Sequence, residues 1–363
     1  MLIKINVISR KSMTCYIAVR NQQDFDKICE ESELGKRPRT DLCVIRQKMG
    51  ASIPSAPFKA PSFQDKFLSL TAGSPEDWRF ARNLLSQLDE NDVIYCPGED
   101  IGIPMAAFFA AKQNRPRIVT FAHNIDRPRG RLSLKLLRVL QATDLFLVCS
   151  LYQKDFLCKY LNLPESRVRF IWDKVDLNFF TPGAPTADKK RPLITSVGLE
   201  NRDYRLIAAA TEDMDVDVRI SGFSKYAQQL QRAFPDVLPA NMTRQFYPWH
   251  ELVQLYRDAD IVVVSTFESK YASGVSSLLE AMACRRPIIA TETEGLAAYL
   301  DPEIVLTVKP GDVDGLKKAI TYLLNHPEEA SRRAELGYQV AKARNSIDTF
   351  TDQVVACLRQ PKP

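Results

Sequence analysis

The 363-residue sequence has no apolar run near the roughly 18 residues that a membrane-spanning helix needs. The nearest candidate, Pro104 to Ala111, is far too short. The first residues, Met1 to Ser9, lack the apolar region of a signal peptide and are typical of a β-strand. These absences predict a chain with neither a spanning helix nor a secretory leader.

Several motifs that mark common classes of enzyme are also missing. No Gly-x-Gly-x-x-Gly follows the first predicted strand, where Ser9 to Thr14 stands instead, and this argues against a dinucleotide dehydrogenase. A Walker Gly-Lys-Ser/Thr and a Gly-x-Ser-x-Gly nucleophile elbow are absent. The sequence has only three histidines, which argues against a His-based metal site.

The eight cysteines form no Cys-x-x-Cys pair and show no metal-ligand spacing. We expect them to be reduced thiols packed in cores, as in a cytoplasmic protein. The net charge of +5 is modest, and it identifies neither nucleic acid nor a membrane as a partner.

The sequence does contain a regular alternation of strand-like and helical patterns, which predicts parallel sheets with helices on both faces. We predict strands near Ile3–Ile8, Leu42–Ile45, Asp92–Tyr95, Ile118–Phe121, Leu145–Cys149, Val168–Ile171, Leu193–Val197, Val216–Ser221, Ile261–Val264, Pro287–Ala290 and Ile304–Thr307. Helices are predicted at Glu251–Arg257 and Gly315–Asn325, and an irregular loop at Gly50–Phe63.

The boundary between two domains is predicted at Thr181–Pro192, a stretch rich in proline, glycine and charge between two apolar strands. We therefore place the first domain at 1–182 and the second from 183 onward. Ligands of open α/β sheets bind at the carboxyl ends of the strands. Two doubly wound domains joined in this way predict a ligand cleft between them.

The most informative segment is Ser273 to Ile289, which follows the predicted buried strand Ile261–Val264. A small-residue turn opens a helix near Ser276, and such a helix start favours a phosphate. Glu280 is placed to accept hydrogen bonds from a ribose. The alternative is an ordinary helix that packs against the sheet, although an acidic residue between Leu279 and Ala281 is unusual there.

This segment resembles the nucleotide-sugar site of GT-B glycosyltransferases, specifically the retaining family 4. The stretches Thr195–Tyr204 and Val168–Pro182 resemble two further parts of that family. The resemblance implies a GT-B architecture of two doubly wound Rossmann-like domains, with the second ending at 345 and a helix at 346–363 returning to the first. It also implies donor contacts from residues of the second domain: Gly198, Arg202, Gly222, Ser273, Gly274, Val275, Ser276 and Glu280.

Each of these assignments has a structural alternative. Arg202 stands near the usual basic residue, and its planar fork suits phosphate oxygens, but it could instead pair with Glu200 or Asp203. Gly222 could bring backbone close to the nucleotide or form a plain turn.

Two residues of the first domain are also candidates. His123 follows a predicted strand, where similar enzymes use a histidine to reach the donor sugar; the alternative is a loop histidine bonded to nearby backbone. Glu99 could bind acceptor hydroxyls, and an N-cap at Asp100 is the structural alternative in that loop.

One expected carboxylate is missing. Many family members carry a second glutamate beside the donor sugar, at the position that Ala272 occupies here. Either Glu268 takes over that contact, or backbone amides near Ser273 and Gly274 hold the sugar, or catalysis has been lost.

The resulting hypothesis is a metal-independent glycosyltransferase of the hexosyltransferase type, without a cofactor, that uses a UDP- or GDP-sugar and retains the anomeric configuration. The alternatives are a nucleotide-sugar-binding or partner-binding protein and, more weakly, a nucleotide-sugar epimerase. The acceptor is a small molecule, a glycan or a lipid. Arg127 to Arg138 carries five basic residues and no acidic one, so it is either a solvated helix face or a peripheral membrane contact.

Overall fold

The computed structural model of the protein describes residues 13–54, 60–186, 189–223 and 231–362. The predicted strand Ile3–Ile8 and the middle of the predicted loop Gly50–Phe63 lie outside the described residues. The chain divides into two compact units. Of the described residues, the first unit contains 13–22, 45–147 and 355–362, and the second contains 23–44 and 148–354. The predicted domain boundaries stay a prediction.

The first sheet has the strand order β1-β2-β3-β4-β5, and the pairs from β1 to β4 are parallel. Its strands are β1 (Thr14–Ile17), β2 (Asp92–Cys96), β3 (Arg117–Phe121), β4 (Leu145–Val148) and β5 (Val168–Phe170). Every residue of β2, β3 and β4 is buried, as expected of parallel strands covered on both faces.

Helices α1 to α8 accompany these strands along the chain. They are α1 (Gln22–Glu33), α2 (Asp41–Met49), α3 (Phe63–Leu68), α4 (Pro75–Leu84), α5 (Glu99–Phe109), α6 (Pro128–Leu136), α7 (Val139–Ala142) and α8 (Leu151–Asp155). A core of the first unit forms where α4 and α5 pack on the sheet, with Phe80, Leu84, Ile94, Phe109 and Ile118 almost fully buried.

The second unit contains a six-stranded parallel sheet with the order β11-β10-β9-β6-β7-β8. Its strands are β6 (Leu193–Val197), β7 (Asp217–Ser221), β8 (Met242–Arg244), β9 (Ile261–Val264), β10 (Ile288–Thr291) and β11 (Val305–Val308). Its helices are α9 (Tyr204–Thr211), α10 (Trp249–Asp258), α11 (Val275–Ala283), α12 (Val313–Asn325) and α13 (Pro327–Arg344), and α14 (Ile347–Arg359) begins in this unit and ends in the first.

The order of this second sheet creates a topological switch point. From β6 the chain proceeds outward to β7 and β8, then returns to β9 on the other side of β6. The chain therefore leaves β6 and β9 towards opposite edges of the sheet, and open α/β sheets bind ligands in the crevice at such a switch point, beside the carboxyl ends of the strands. Of the predicted donor residues, Gly198 and Arg202 lie on the loop after β6, and Ser273 and Gly274 lie on the loop after β9. Val275, Ser276 and Glu280 lie on α11, and Gly222 follows β7.

One predicted strand is wrong, and two observed strands were not predicted. Leu42–Ile45 was predicted as a strand, but it lies inside helix α2. Four consecutive apolar residues fit a buried strand and a buried helical turn equally well, and here Asp41 begins a helix whose first turn favours an acidic residue. The strands β1 and β8 were not predicted, because each has only three or four residues and contains polar ones.

The cysteines also differ from expectation. Cys29 of α1 and Cys43 of α2 form a disulfide, so the prediction that all eight are reduced is wrong. The two lie 14 positions apart in sequence, and that spacing carries no signal of a pair. Among the described residues the other six cysteines are free, and five of them are buried.

No helix in the described part of the chain is long and apolar enough to cross a membrane.

Candidate functional site

The loop after β6 is held against the loop after β9 by a short ladder of backbone hydrogen bonds. The amide of Asp203 donates to the carbonyl of Ser265 over 3.1 Å, and the amide of Phe267 donates to the carbonyl of Asn201 over 3.0 Å. The hydroxyl of Ser265 also donates to the carbonyl of Asp203. These bonds fix both sides of the crevice at the switch point.

Arg202 lies inside this crevice with only 4% of its surface exposed. Its Nε donates to the carbonyl of Val197 (2.9 Å), Nη1 to the carbonyl of Glu200 (3.0 Å), and Nη2 to Oγ of Ser277 (2.8 Å). Ser277 belongs to the first turn of α11, so the guanidinium joins the loop after β6 to the start of that helix. Neither Glu200 nor Asp203 provides a carboxylate partner, and two of the five N–H groups of the guanidinium remain for another acceptor.

Gly198 and Gly274 approach this guanidinium from opposite loops. Gly198 has φ +104°, and a Cβ there would lie 2.5 Å from Nη2 of Arg202. Gly274 has φ +94°, and its Cβ would lie 2.7 Å from Val264 and 3.4 Å from Nη1 of Arg202. Both positions need the left-handed backbone and the missing side chain of glycine.

Helix α11 begins at Val275, directly after Gly274, and its N-cap has no side-chain hydrogen bond. The first amides of any helix have no acceptor within the helix, and they carry the positive end of its dipole. Ser276 is exposed at this end, whereas Ser273 and Val275 are buried, and the Ser273 hydroxyl contacts the carbonyl of Glu200. The predicted residues Gly198, Arg202, Ser273, Gly274, Val275 and Ser276 are thus brought together.

Glu280 lies on the same helix, partly buried. Its Oε2 accepts a 2.6 Å hydrogen bond from the Tyr256 hydroxyl of α10. Burial raises the pKa of the Glu280 carboxyl to about 7, although the Tyr256 hydrogen bond and the nearby positive charge of Arg202 act in the opposite direction. Burial, together with the charge of Glu280, raises the pKa of Tyr256 well above its usual value, so the phenol stays a donor. A carboxylate with such a shift beside a crevice is typical of a functional site.

Gly222, at the end of β7, borders an aromatic wall of the same unit. A Cβ at Gly222 would lie 2.7 Å from Phe234 and 3.2 Å from Tyr204, whose rings stack at 5.1 Å. Arg244 covers the Phe234 ring at 3.7 Å and donates to the carbonyl of Gly222 over 3.2 Å. Gly222 is therefore required by packing against these rings, and whether it also approaches a nucleotide stays a prediction.

Glu268 is exposed in the loop between β9 and α11. It makes no hydrogen bond or ion pair with any residue that the structure describes. Ala272, at the position of the expected carboxylate, is buried. The proposed contact of Glu268 with the donor sugar stays a prediction.

In the first unit, Glu99 fixes the loop that carries His123. Its two carboxylate oxygens accept hydrogen bonds from the backbone amides of His123 (2.9 Å) and Asn124 (3.1 Å). Glu99 is 4% exposed, so it supports this loop, and its predicted contact with an acceptor stays a prediction. The N-cap of α5 is Gly98 rather than Asp100, which pairs with Arg127 instead.

His123 itself is exposed, and its Nε2 lies 3.1 Å from the carbonyl of Pro97. A carbonyl only accepts, so Nε2 carries a proton in this contact. Beyond Arg127, a cavity of about 490 Å³ is bounded by charged side chains that follow the first three strands, including Arg20, Asp77, Asp100 and Arg129. Its position at the carboxyl ends of parallel strands makes it a candidate ligand pocket of this unit.

The Asp-x-Asp pattern at Asp213–Asp217 does not form a metal site. Asp213 pairs with Lys317, whereas Asp215 and Asp217 pair with Arg191. Among the described residues no group of three or more His, Cys, Asp or Glu side chains could hold a metal ion.

Sequence reasoning missed Tyr256, Ser277 and Arg244. Tyr256 falls on the buried face of the amphipathic helix α10, so its pattern indicates a core residue and gives no sign that its hydroxyl reaches Glu280. Ser277 was passed over for Ser276, although only Ser277 contacts Arg202. Arg244 lies far from both loops in sequence.

Two family models match the chain: "Glycosyl transferases group 1" over residues 201–326 and "Glycosyltransferase Family 4" over residues 48–179. Together they cover more than half of the sequence. The group 1 match, over residues 201–326, begins within the loop that carries Arg202 and includes helix α11.

The chain is also similar to D-inositol 3-phosphate glycosyltransferase of Mycobacterium sp. (strain JLS), with 28% identity over 216 residues, or 54% of this chain and 48% of that protein. It therefore spans about half the length of the first curated relatives that it matches. Sucrose-phosphate synthase of Thermosynechococcus elongatus has a similar fold, with a TM-score of 0.69 at 17% identity over 96% of this chain and 99% of that one. HepE of Anabaena, solved in complex with UDP and glucose, gives a TM-score of 0.65 at 13% identity over 96% and 99%.

These likenesses define the class: the fold is that of the GT-B glycosyltransferases, mixed α/β with two parallel sheets of Rossmann-like type. Within that class, the chain belongs to the group 1 and family 4 glycosyltransferases. The predicted family and fold class are confirmed.

Proposed function

We propose that this protein is a glycosyltransferase whose second unit binds a nucleoside diphosphate sugar at the switch point between β6 and β9. The observation that carries the proposal is the convergence of Arg202, two obligate glycines and the amino end of α11, which has no side-chain cap, at one switch point, with Glu280 on the same helix. Family membership and the UDP bound by HepE of Anabaena support a nucleotide-sugar donor.

The diphosphate would meet the N-terminus of α11. The amides of its first turn and the two unused N–H groups of Arg202 would stabilise negative charge as the nucleotide departs. Because Arg202 is already held by three acceptors, these donors need little reorganisation when charge develops. Leaving-group stabilisation is then the main contribution of this unit to catalysis.

Glu280 would accept hydrogen bonds from the ribose hydroxyls. That role requires the ionised carboxylate, and donors that approach it on binding would lower its pKa from the value of about 7 in the empty site. The sugar end of the donor would be held by the backbone amides near Ser273 and Gly274 or by Glu268, with His123 as a further proposed contact. Retention at the anomeric carbon and independence of a metal are part of the proposal.

The test is release of the nucleotide from UDP- and GDP-sugars by the purified protein, with a panel of sugar, sugar-phosphate and lipid acceptors. We expect one donor to be turned over, and Glu280→Ala to reduce kcat/KM by about 100-fold, as loss of about 3 kcal/mol of transition-state stabilisation implies. The matched control is Glu328→Ala, which removes an exposed carboxylate from the first turn of α13 and should leave the rate unchanged.

A second candidate is a binding protein without catalysis, because Ala272 lacks the expected carboxylate and Glu268 contacts nothing at the site. Isothermal titration with UDP and GDP separates the two. Binding that Glu280→Ala weakens, combined with no turnover of any donor, would favour the binding protein. A change in the donor sugar without release of nucleotide would indicate an epimerase. If neither UDP nor GDP binds, the proposal is refuted.

A further inference from the structure

Five large apolar side chains are exposed on two helices of the first unit. On and just after α3 these are Phe63 (85% exposed), Phe67 (62%) and Leu70 (67%), and on α6 they are Leu132 (46%) and Leu136 (64%). We call these five residues the apolar patch. Soluble monomers rarely expose apolar side chains in a contiguous group unless the surface binds something.

Helix α3 presents its phenylalanines to solvent in a fixed orientation. Phe63 and Phe67 are four residues apart and so share one face of the helix. The opposite face carries Asp65, which is fully buried, forms a capping box with Ser62 and pairs with Arg82 at 2.7 Å. A helix of a soluble protein normally buries its apolar residues and exposes its charges. Helix α3 instead exposes its phenylalanines and buries its aspartate, and the ion pair of Asp65 with Arg82 holds the helix in this orientation.

Helix α6 continues the same surface. Arg129 donates to the carbonyls of Ser69 and Leu70, and the Ser133 hydroxyl donates to the carbonyl of Thr71 over 2.9 Å. These bonds tie the end of α3 to α6, so the exposed residues of the two helices lie on adjacent segments of the first unit. Leu132 and Leu136 are four residues apart and also share a side of their helix.

The surroundings of the apolar patch are basic. Lys66, Arg129, Lys135 and Arg138 are all exposed. Arg129 contacts backbone carbonyls, and the other three have no carboxylate partner among the residues that the structure describes, so their charge is not neutralised within the protein. The segment from 127 to 138 contains no acidic residue at all.

We propose that the apolar patch and its basic rim dock this unit onto an anionic lipid membrane. Apolar side chains on one face with Lys and Arg around them match the acyl chains and headgroups at the surface of such a membrane. A second copy of the chain fits less well, because a two-fold interface sets each patch against itself and would bring Lys66, Lys135 and Arg138 of both copies together. Arg129 also lines the cavity described above, so the docked face borders that cavity.

The test is sedimentation of the full chain with vesicles of phosphatidylcholine alone and of phosphatidylcholine with 30 mol% (about a third) phosphatidylglycerol, at low salt. We expect binding to the anionic vesicles, with an affinity that falls as salt is added. Lys66→Glu with Lys135→Glu should weaken it by at least about 25-fold, since each basic residue near an anionic surface contributes about fivefold. Phe63→Ser with Phe67→Ser should abolish binding even at low salt.

The matched control is Leu34→Ser with Val237→Ser, which removes two apolar side chains of similar exposure (60% and 82%) from the second unit and should leave binding unchanged. Thermal unfolding of each variant verifies that it is folded. As a further readout, Phe67→Trp should give a blue shift of fluorescence when anionic vesicles are added, because the indole leaves water.

Three results would overturn the proposal. One is the absence of binding to anionic vesicles together with no shift for Phe67→Trp. Another is equal loss of binding in the control variant. The third is a dimer in light scattering that dissociates on Phe63→Ser with Phe67→Ser and does not bind vesicles, which would identify a second copy of the chain as the occupant.

Discussion

Burial of the ionised Glu280 carboxylate lowers the stability of the protein, and the same residue has a proposed role in nucleotide binding. Its carboxyl has a pKa of about 7 in the folded protein against an ordinary value of 4.5, and the main cause is burial. Between these two values the folded chain keeps a proton that the unfolded chain has released. The free energy of unfolding therefore falls as pH rises from about 4.5 to 7, and the loss is complete above pH 7.

We predict that Glu280→Gln stabilises the protein at pH 8 by about 1–3 kcal/mol and changes its stability little at pH 4.5, where both forms are neutral. Tyr256 can still donate to the amide oxygen, so the buried hydroxyl keeps its partner. Urea denaturation at the two pH values measures the difference. A stabilisation of equal size at both would show that the ionised carboxylate is not its cause.

The same titration predicts how nucleotide binding depends on pH. Hydroxyl groups donate better to the carboxylate than to the neutral acid, so we expect affinity for a UDP-sugar to rise about tenfold between pH 6 and pH 8. The diester diphosphate of the sugar nucleotide does not itself titrate in this range, unlike that of free UDP. Titration calorimetry provides the measurement, and Glu280→Gln should bind with an affinity that does not change with pH.

At the scale of the element, the turn that starts α11 depends on Gly274. We predict that Gly274→Ala destabilises the protein by about 2–4 kcal/mol, because φ is +94° and the new Cβ would lie 2.7 Å from Val264 beneath the turn. Gly311→Ala is the matched control, since its φ is +77° but nothing lies within 4 Å, and it should cost only about 1 kcal/mol. Similar midpoints of thermal unfolding for the two variants would contradict this account.

The disulfide between α1 and α2 can be tested by counting the reactive thiols. In denaturant without reductant we expect six thiols to react with a thiol reagent, and all eight after reduction. Cys29→Ser with Cys43→Ser should leave the first number at six and lower the free energy of unfolding by about 2–3 kcal/mol. Eight reactive thiols before reduction would restore the sequence-based expectation of reduced cysteines.

Sequence patterns predicted five of the six strands of the second sheet, because each of the five is a short apolar run between clear turn signals, whereas β8 (Met242–Arg244) was missed because two of its three residues are polar. Ile261–Val264 and Leu193–Val197 have the same bounds in the structure as in the prediction. The strand predicted at Leu42–Ile45 is wrong because four consecutive apolar residues show neither the periodicity of a strand nor that of a helix. The partners of Arg202 and Glu280 were not predictable either, since Ser277, Val197 and Tyr256 meet them only through the order of strands in the sheet.

At the scale of the whole molecule, α14 begins in the second unit and ends in the first. Within the first unit, Arg117 of β3 is 6% exposed and donates to the carbonyls of Cys357 (2.7 Å) and Leu358 (3.3 Å) at the end of this helix. A guanidinium at a helix C-terminus satisfies carbonyls that the helix leaves without a partner and interacts favourably with its dipole.

We predict that a chain ending at Val354 is destabilised by at least about 3 kcal/mol, because it loses the buried side chains of Cys357 and Leu358 and leaves Arg117 without these acceptors. A chain ending at Arg359 is the control, since the residues it removes from the described part, Gln360 to Lys362, are exposed. Thermal unfolding compares the two. Equal stability would show that the end of α14 does not support the first unit.

The three acceptors of Arg202 have a consequence for anyone who reads this family by comparing sequences. Lysine carries a single nitrogen at its tip, so it cannot reach Val197, Glu200 and Ser277 together, and selection for folding alone would keep arginine at this position. An arginine that never varies among relatives is therefore no proof of contact with the donor. We expect a relative without glycosyltransferase activity to keep the arginine at this position. The same relative could replace Glu280, because the burial of that carboxylate lowers stability.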